Sequence, residues 1–173
     1  MVYSDWRDTP LGAPNWLRPW LVDQGSLTQR IVNACEDFSV CNVSQRRAYA
    51  YSDEFALLGR QQYGLLRNVS LCCGDVPLVY AHSVLPFASL SGAWAGLRRL
   101  GSRPLGAALF VDPRVRREAL QFKRLDYRHP LYRMAIALIP QPAPTLWARR
   151  SVFALASKRI LVTEVFLPAI KLL

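Results

Sequence analysis

The stretch Arg159-Ile160-Leu161-Val162-Thr163-Glu164-Val165-Phe166-Leu167-Pro168 decides the fold, because it has the composition of a β-strand that is covered on both sides. β-branched and aromatic residues dominate the stretch, and a proline ends it. Successive side chains of a strand point to opposite faces, and here both faces are apolar. One face carries Ile160, Val162 and Phe166, and the other carries Leu161, Val165 and Leu167. Such a pattern predicts a strand that is central in its sheet or covered by other elements.

A carboxylate interrupts this apolar strand. Glu164 lies on the same face as Val162 and Phe166. Burial of a carboxylate without a partner is costly, so Glu164 needs a cation, hydrogen-bond donors or a ligand. Two simpler interpretations stay open at this point: a glutamate near the strand end that reaches water, or one half of a structural ion pair.

A second predicted strand, residues 62–73 (QYGLLRNVSLCC), carries a cation on its apolar face. Arg67 shares that face with Val69 and Leu71, whereas the other face is more polar. A guanidinium in the core usually binds a carboxylate or a phosphate in a forked geometry. Arg67 and Glu164 therefore predict either a structural bridge between the two strands or a polar pocket for a small acid.

The chain length and the charge limit the possible partners. A length of 173 residues predicts one domain, 1–173, in which residues 1–14 form an irregular arm. The net charge is +10, from 22 basic and 12 acidic residues, which permits nucleic acid, a membrane surface or a small anion as partner. The arginines are spread along the chain without a basic tail or a nucleic-acid-binding motif. We therefore expect a small anionic ligand and no nucleic acid.

The cysteines and histidines lack the spacing of a metal site. No two of Cys35, Cys41, Cys72 and Cys73 have C-x-x-C spacing, and the two histidines are far apart. We expect four reduced thiols in a cytoplasmic protein. The N-terminus does not have the pattern of a signal peptide, and no apolar run approaches the roughly 20 residues that span a bilayer.

Hydrophobic periodicity predicts an α+β protein with an antiparallel sheet and helices on one side of it. A capping box at Ser26 starts one helix, and a helix from Asn15 is expected to be interrupted by Pro19. Residues 53–60 predict a helical turn or a loop, and the proline-rich segment 126–144 predicts one short helix. The other predicted helices span 26–36, 93–100 and 103–110, and the predicted strands span 38–49, 62–73, 76–85, 114–123, 146–156 and 160–167.

Several motifs, taken in their order along the chain, resemble the chorismate–pyruvate lyase family. The C-terminal TEVFLPA, residues 163–169, resembles the closing TE-x-FLPA motif of that family. Leu66-Arg67 and the segment from Leu90-Ser91-Gly92 to Leu109-Phe110 also fit, as do residues 146–151 (LWARRS) and 26–28 (SLT). The likeness runs from about residue 16 to the C-terminus. No single motif is diagnostic, and the match depends on their joint presence.

The resemblance implies a lyase that removes pyruvate from chorismate and leaves 4-hydroxybenzoate for ubiquinone biosynthesis. It implies a six-stranded antiparallel sheet with helical flaps over an internal site, and neither a metal nor an organic cofactor. The family pattern assigns the ring carboxylate to Arg67 and the ring hydroxyl to Glu164, which is also the candidate base. The resemblance also implies ligand contacts at Leu27 and Leu105 through their backbone groups. Both residues fall at predicted helix N-termini, where unpaired N–H groups and the helix dipole favour a carboxylate. The alternative for these leucines is an ordinary core position.

Three points stay open in the sequence. The second carboxylate of chorismate needs a cation, for which Arg149, Arg150 and Arg128 are candidates, although a solvated surface position is the commoner situation for each. The alternative function is a non-catalytic small-acid-binding domain, because ligand-sensing domains of some bacterial transcription regulators resemble the lyase fold. Such domains follow a winged-helix domain, for which the roughly 15 residues before the first predicted helix leave no room. We also expect a monomer.

Overall fold

The structure of the protein is a computed structural model that describes residues 5–59, 62–92, 94–141 and 143–173. In these ranges a seven-stranded antiparallel sheet has the order β1-β2-β3-β7-β6-β4, and β5 also pairs with β6. The strands are β1 (Phe38–Tyr49), β2 (Tyr63–Cys73), β3 (Val76–Pro86), β4 (Arg116–Arg117), β5 (Gln121–Leu125), β6 (Leu146–Leu155) and β7 (Lys158–Phe166). The deciding stretch forms β7, which lies between β3 and β6. The prediction of a central strand is therefore confirmed.

Helices cover both faces of the sheet. They are α1 (Arg18–Val22), α2 (Leu27–Ala34), α3 (Phe55–Leu58), α4 (Leu105–Leu109) and α5 (Pro130–Ile136), with 3₁₀ turns at Ser52–Glu54, Ala95–Arg99 and Pro168–Leu172. We call the face that carries Arg67 and Glu164 the cavity face, and there α1, α2 and α4 pack. On the opposite face, α3 and α5 pack against residues such as Leu161 and Val165. The prediction of helices on one side is wrong, because both apolar faces of β7 need a cover.

The predicted start of α2 is confirmed, whereas the predicted start of α1 is wrong. Ser26 caps α2, since its Oγ accepts a hydrogen bond from the Gln29 amide at 3.2 Å. Pro19 does not interrupt α1. It occupies the first turn, where its missing N–H is not needed, and Leu17 is the N-cap in place of the expected Asn15. The first residue of the predicted helix 93–100 lies outside the described residues. Within the described part of this segment the chain forms the 3₁₀ turn Ala95–Arg99.

The predicted strand 114–123 is two short strands with a shift of register between them. Arg117 of β4 lies opposite Phe153 of β6, whereas Phe122 of β5 lies opposite Arg149. Regular pairing would place Phe122 opposite residue 148, so one extra residue lies between the two strands. Because side chains alternate along a strand, such an extra residue moves every later side chain to the other face. Arg117 and Phe122 consequently share the cavity face, which an unbroken strand does not allow.

A disulfide joins Cys35, at the end of α2, to Cys73, at the end of β2. The prediction of four reduced thiols is therefore wrong for this pair, while Cys41 and Cys72 are free. Cys72 and Cys73 are adjacent in a strand and point to opposite faces, so Cys73 reaches the core that α2 covers. By the chain-entropy argument, a crosslink over 38 residues stabilises the fold by on the order of 2–4 kcal/mol.

The N-terminal arm packs on the sheet from residue 5 onward. Arg7 forms a two-way backbone bridge with Phe122, with N–O distances of 2.9 and 2.7 Å. The Trp6 side chain is buried, and its Nε1 donates to Asp53 Oδ2 at 2.8 Å. Residues 5–14 are irregular apart from this bridge, and the bridge and the Trp6 contact anchor them to the rest of the fold. No helix in the described ranges is both long and apolar enough to cross a lipid bilayer.

Candidate active site

A cavity of about 530 Å³, which includes space at its open mouth, lies between the cavity face and the starts of α2 and α4. Strands β2, β3, β6 and β7 form its floor, and residues 25–28 and 104–110 form its walls. The four residues singled out in the sequence all line it: Leu27, Arg67, Leu105 and Glu164. The fold thus brings together side chains from four separate parts of the chain.

Arg67 is a buried cation with spare hydrogen-bond capacity. Its side chain is 1% exposed, and its Nη2 donates to the carbonyls of Gly101 at 3.0 Å and Arg103 at 2.9 Å. Its Nε is buried and has no partner among the described residues. Burial lowers the pKa of Arg67, since it penalises the charged form. A carboxylate in the cavity would satisfy both the charge and the free donor.

Glu164 forms an ion pair, but not with Arg67. Its Oε2 accepts a hydrogen bond from Arg149 Nε at 2.5 Å across the β6–β7 pair. The predicted alternative of an Arg67–Glu164 bridge is therefore wrong, whereas the alternative of an ion pair holds with a different partner. The hydrogen bonds of Glu164 within the described part of the chain involve Oε2, which leaves Oε1 for a ligand.

Two of the three arginines considered for a second carboxylate are buried, against expectation. Arg149 is 0% exposed, and its Nη1 donates to the carbonyls of Trp20, Leu21 and Asp23. Arg150 points to the opposite face and is 2% exposed; its Nη1 donates to the Asp53 carbonyl at 3.1 Å. Arg128 is exposed, as expected. None of the three lines the cavity.

Leu27 and Leu105 are the first residues of α2 and α4. Their side chains are buried, so they are core residues, while their amides belong to first turns that lack intrahelical acceptors. Gly106 lets the two helix starts approach each other: a Cβ there would lie 3.2 Å from both Ser26 Oγ and Thr28 Oγ1. Free amides from two helices therefore meet at one wall of the cavity, where they favour a negative charge.

Arg117 is a cavity residue that sequence reasoning missed. Its Nε donates to Ser151 Oγ at 2.8 Å, and its Nη1 donates to the carbonyls of Gln24 at 3.0 Å and Gly25 at 3.3 Å. Burial lowers its pKa to about 10, and the negative charge of Glu164 opposes that shift. In the sequence, Arg117 is one arginine of the basic run 114–117. The register shift between β4 and β5 cannot be recognised from the composition of this segment, so the position of Arg117 on the cavity face could not be predicted.

The arrangement suits a small cyclic anion. Two arginines and two helix starts supply positive charge, Glu164 supplies a carboxylate, and Val69, Leu109 and Val162 supply apolar walls. The described residues contain no group of three or more His, Cys, Asp or Glu side chains arranged to hold a metal ion.

Comparisons with known proteins agree with this architecture. The sequence profile described as chorismate lyase matches residues 6–172. A probable chorismate pyruvate-lyase of Aromatoleum aromaticum is 50% identical over 162 residues, which is 91% of this chain and 88% of that one. A probable chorismate pyruvate-lyase of Thiobacillus denitrificans is 48% identical over 167 residues, 95% of this chain and 89% of that one.

Solved structures of similar fold include proteins of another kind. A GntR-family transcriptional regulator of Enterococcus faecalis superimposes with a TM-score of 0.51 at 12% identity, over 75% of this chain and 88% of that one. The ligand-binding domain of a putative GntR-family regulator of Bordetella bronchiseptica gives a TM-score of 0.51 at 15% identity, over 76% and 84%. At these identities the likeness concerns the fold alone. The match of the family profile to nearly the whole chain and the identity to the two lyases place this chain in the chorismate lyase family.

Proposed function

We propose that this chain is a chorismate–pyruvate lyase that eliminates pyruvate from chorismate and leaves 4-hydroxybenzoate for ubiquinone biosynthesis. The observation that carries the proposal is the cavity in which Arg67, with its unpartnered Nε, and Glu164, with its free Oε1, face the same space. Family membership supports the reaction, and the geometry of the cavity supports the roles proposed here for the residues.

Arg67 binds the ring carboxylate. Two backbone carbonyls hold Nη2 in place, so the guanidinium is oriented before the ligand arrives. The buried Nε gains its acceptor only when the carboxylate binds, which makes the contact charge-assisted and poorly accessible to water. The backbone amides near Leu27 and Leu105 add donors to the bound anion without adding side-chain entropy costs.

Glu164 contacts the ring hydroxyl through Oε1 and acts as the base. In the elimination, the carbon that bears the hydroxyl loses its proton, the neighbouring carbon–oxygen bond breaks, and the ring becomes aromatic. The departing enolpyruvate takes up a proton and becomes pyruvate, so the reaction is balanced without an oxidant or a metal. Arg149 holds Oε2 and keeps the carboxylate oriented toward the ring.

The same contacts retain the product. 4-Hydroxybenzoate keeps the ring carboxylate and the hydroxyl, so Arg67 and Glu164 bind it nearly as well as the substrate, and such uniform binding does not aid turnover. The segments 25–28 and 104–110 wall the cavity, and their opening is expected to limit product release.

The test is an absorbance assay. Purified protein mixed with chorismate, without added metal, should produce the ultraviolet spectrum of 4-hydroxybenzoate together with stoichiometric pyruvate. The alternative function, a small-acid-binding domain without catalysis, has the fold likeness to GntR regulators in its favour. That alternative predicts binding of 4-hydroxybenzoate in calorimetry but no conversion of chorismate.

The proposal includes a monomer that works in the cytoplasm as one domain, 1–173, and binds no nucleic acid. The spread of the arginines along the chain supports the last point. The Cys35–Cys73 disulfide argues against the cytoplasm, because such bonds are more typical of oxidising compartments. Thiol trapping in cells, followed by fractionation, would decide the compartment and the redox state together.

A further inference from the structure

Substrate and product differ by one carboxylate. Chorismate carries a ring carboxylate and an enolpyruvyl carboxylate, whereas 4-hydroxybenzoate keeps the ring carboxylate alone. With Arg67 assigned to the ring carboxylate, the second negative charge of the substrate needs its own partner. Arg67 and Arg117 are the two cationic side chains among the described residues that line the cavity.

The position of Arg117 is fixed from three sides. Ser151 Oγ and the carbonyls of Gln24 and Gly25 hold Nε and Nη1, so the side chain cannot swing away without losing three hydrogen bonds. These bonds leave Nη2 without a partner among the described residues. The guanidinium lies 5.3 Å from the ring centroid of Phe153, which is buried, and 5.7 Å from that of Phe110, which is exposed. Arg117 thus lies between the interior and the rim.

Arg117 also lies close enough to Glu164 for the two charges to attract each other. Glu164 is proposed to act at the ring carbon that bears the hydroxyl, and the enolpyruvyl ether is attached to the next ring carbon. A cation that lies close to Glu164 in the same cavity is therefore within reach of a group that leaves from this neighbouring carbon. The negative charge that develops on the departing enolate would meet a cation that is already in place.

We propose that Arg117 binds the enolpyruvyl carboxylate of the substrate and so distinguishes chorismate from 4-hydroxybenzoate. This inference rests on the proposed function. It assigns the two arginines separate tasks: Arg67 holds the part of the ligand that stays the same, and Arg117 holds the part that leaves. Once pyruvate departs, the contact with Arg117 is lost while the contact with Arg67 persists.

The test compares Arg117→Gln with Arg116→Gln. Arg116 is the exposed neighbour of Arg117 in β4 and points to the other face, so the control removes the same charge from the same strand. For Arg117→Gln, kcat/KM for chorismate should fall at least about tenfold, as expected for a lost charge-assisted contact, while the Kd for 4-hydroxybenzoate stays within about twofold. Arg116→Gln should leave both values unchanged.

The Arg117→Lys variant tests the inference even if Arg117→Gln does not fold. It keeps the charge but loses the fork, so it should show a smaller loss of kcat/KM with the same unchanged product affinity. Two results would overturn the inference: kcat/KM within about threefold of wild type, or substrate and product affinity that fall by the same factor, which indicates a structural role near Gly25. An active wild type with an unaffected Arg117→Gln variant refutes this inference alone, whereas an inactive wild type refutes the proposed function.

Discussion

Arg149 Nε lies 2.5 Å from Glu164 Oε2, so the candidate base has a fixed cationic neighbour on the adjacent strand. Arg149 is itself held by three backbone carbonyls around α1, which makes it part of the scaffold. Glu164 is therefore tethered by one oxygen and free at the other. Arg67, by contrast, has no acidic partner among the described residues, and its buried Nε has no acceptor there.

Arg67→Ala should fold but lose most of its affinity for 4-hydroxybenzoate. A charge-assisted contact of this type contributes on the order of 1.5–3 kcal/mol, so Kd should rise at least about tenfold. Arg67→Met, which is closer in volume, should show the same loss with less disturbance of the core. Arg98→Ala, at an exposed position, is the matched control. Calorimetry that finds wild-type affinity in a folded Arg67→Ala variant would remove Arg67 from the site.

Reduction of the disulfide should weaken the fold without abolishing activity. Cys35 and Cys73 lie at the ends of α2 and β2, and neither of them lines the cavity. The Cys35→Ser/Cys73→Ser double variant should lose roughly 2–4 kcal/mol in urea unfolding, and wild type in reductant should match it. Cys41→Ser should not respond to reductant differently from wild type. Activity lost at 25 °C on reduction alone would show that the crosslink shapes the site.

Activity should survive exhaustive chelation. The proposed elimination uses Arg67 and Glu164 together with backbone amides, so none of its steps needs a metal ion. Assays after treatment with EDTA and after addition of single divalent metals should give the same rate. A rate that falls with EDTA and returns with one specific metal would contradict the proposed mechanism.

Acid should destabilise the protein partly through Asp53, which lies on the opposite face of the sheet. Burial raises the pKa of Asp53, but hydrogen bonds from His129 and Trp6, together with the nearby charges, outweigh burial and hold it well below its usual range. A carboxylate whose pKa is lowered by folding stabilises the folded state at any pH above the pKa that it has in the unfolded chain, about 4. This stabilisation is lost progressively as the pH falls below that value. Asp53→Asn should therefore lower the free energy of unfolding by roughly 1–3 kcal/mol at pH 7.

The difference in free energy of unfolding between wild type and Asp53→Asn should shrink as the pH falls from about 4 to about 2. Over this range Asp53 becomes protonated in wild type, which then loses the stabilisation that the variant already lacks. Urea unfolding across this range measures the effect. The exposed Asp8→Asn variant, whose side chain makes no such contacts, is the control. A difference that stays constant down to pH 2 would show that Asp53 acts through packing and not through its charge.

Alternation along strands was sufficient to predict the positions of Arg67 and Glu164, because both strands are regular at those residues. The same rule cannot place Arg117 and Phe122 together, since one extra residue between β4 and β5 reverses the face of the later side chains. Arg149 and Arg150 were expected at the surface because most arginines are exposed. Both are buried, and they lie on opposite faces of β6. The Cys35–Cys73 pair depends on how α2 docks on β2, which cysteine spacing does not encode.

Glu164→Gln examines the proposed base. The substitution keeps the volume and the hydrogen bonding of the side chain but removes the charge and the basic oxygen. It also leaves Arg149 buried without its counterion, so we expect the variant to have a lower melting temperature. Neutralising Glu164 would stabilise the fold only if its charge were buried without a partner. Activity must therefore be compared at a temperature where both proteins are folded.

The most direct test is single-turnover conversion of chorismate by wild type and Glu164→Gln, because slow product release does not mask the chemical step there. We predict that wild type forms 4-hydroxybenzoate without added metal, that the variant is slower by roughly 10²–10⁴, and that the affinity of the variant for 4-hydroxybenzoate falls much less. A variant rate within a few-fold of wild type would reduce Glu164 to a positioning residue. Absence of 4-hydroxybenzoate with wild type would contradict the proposed function itself.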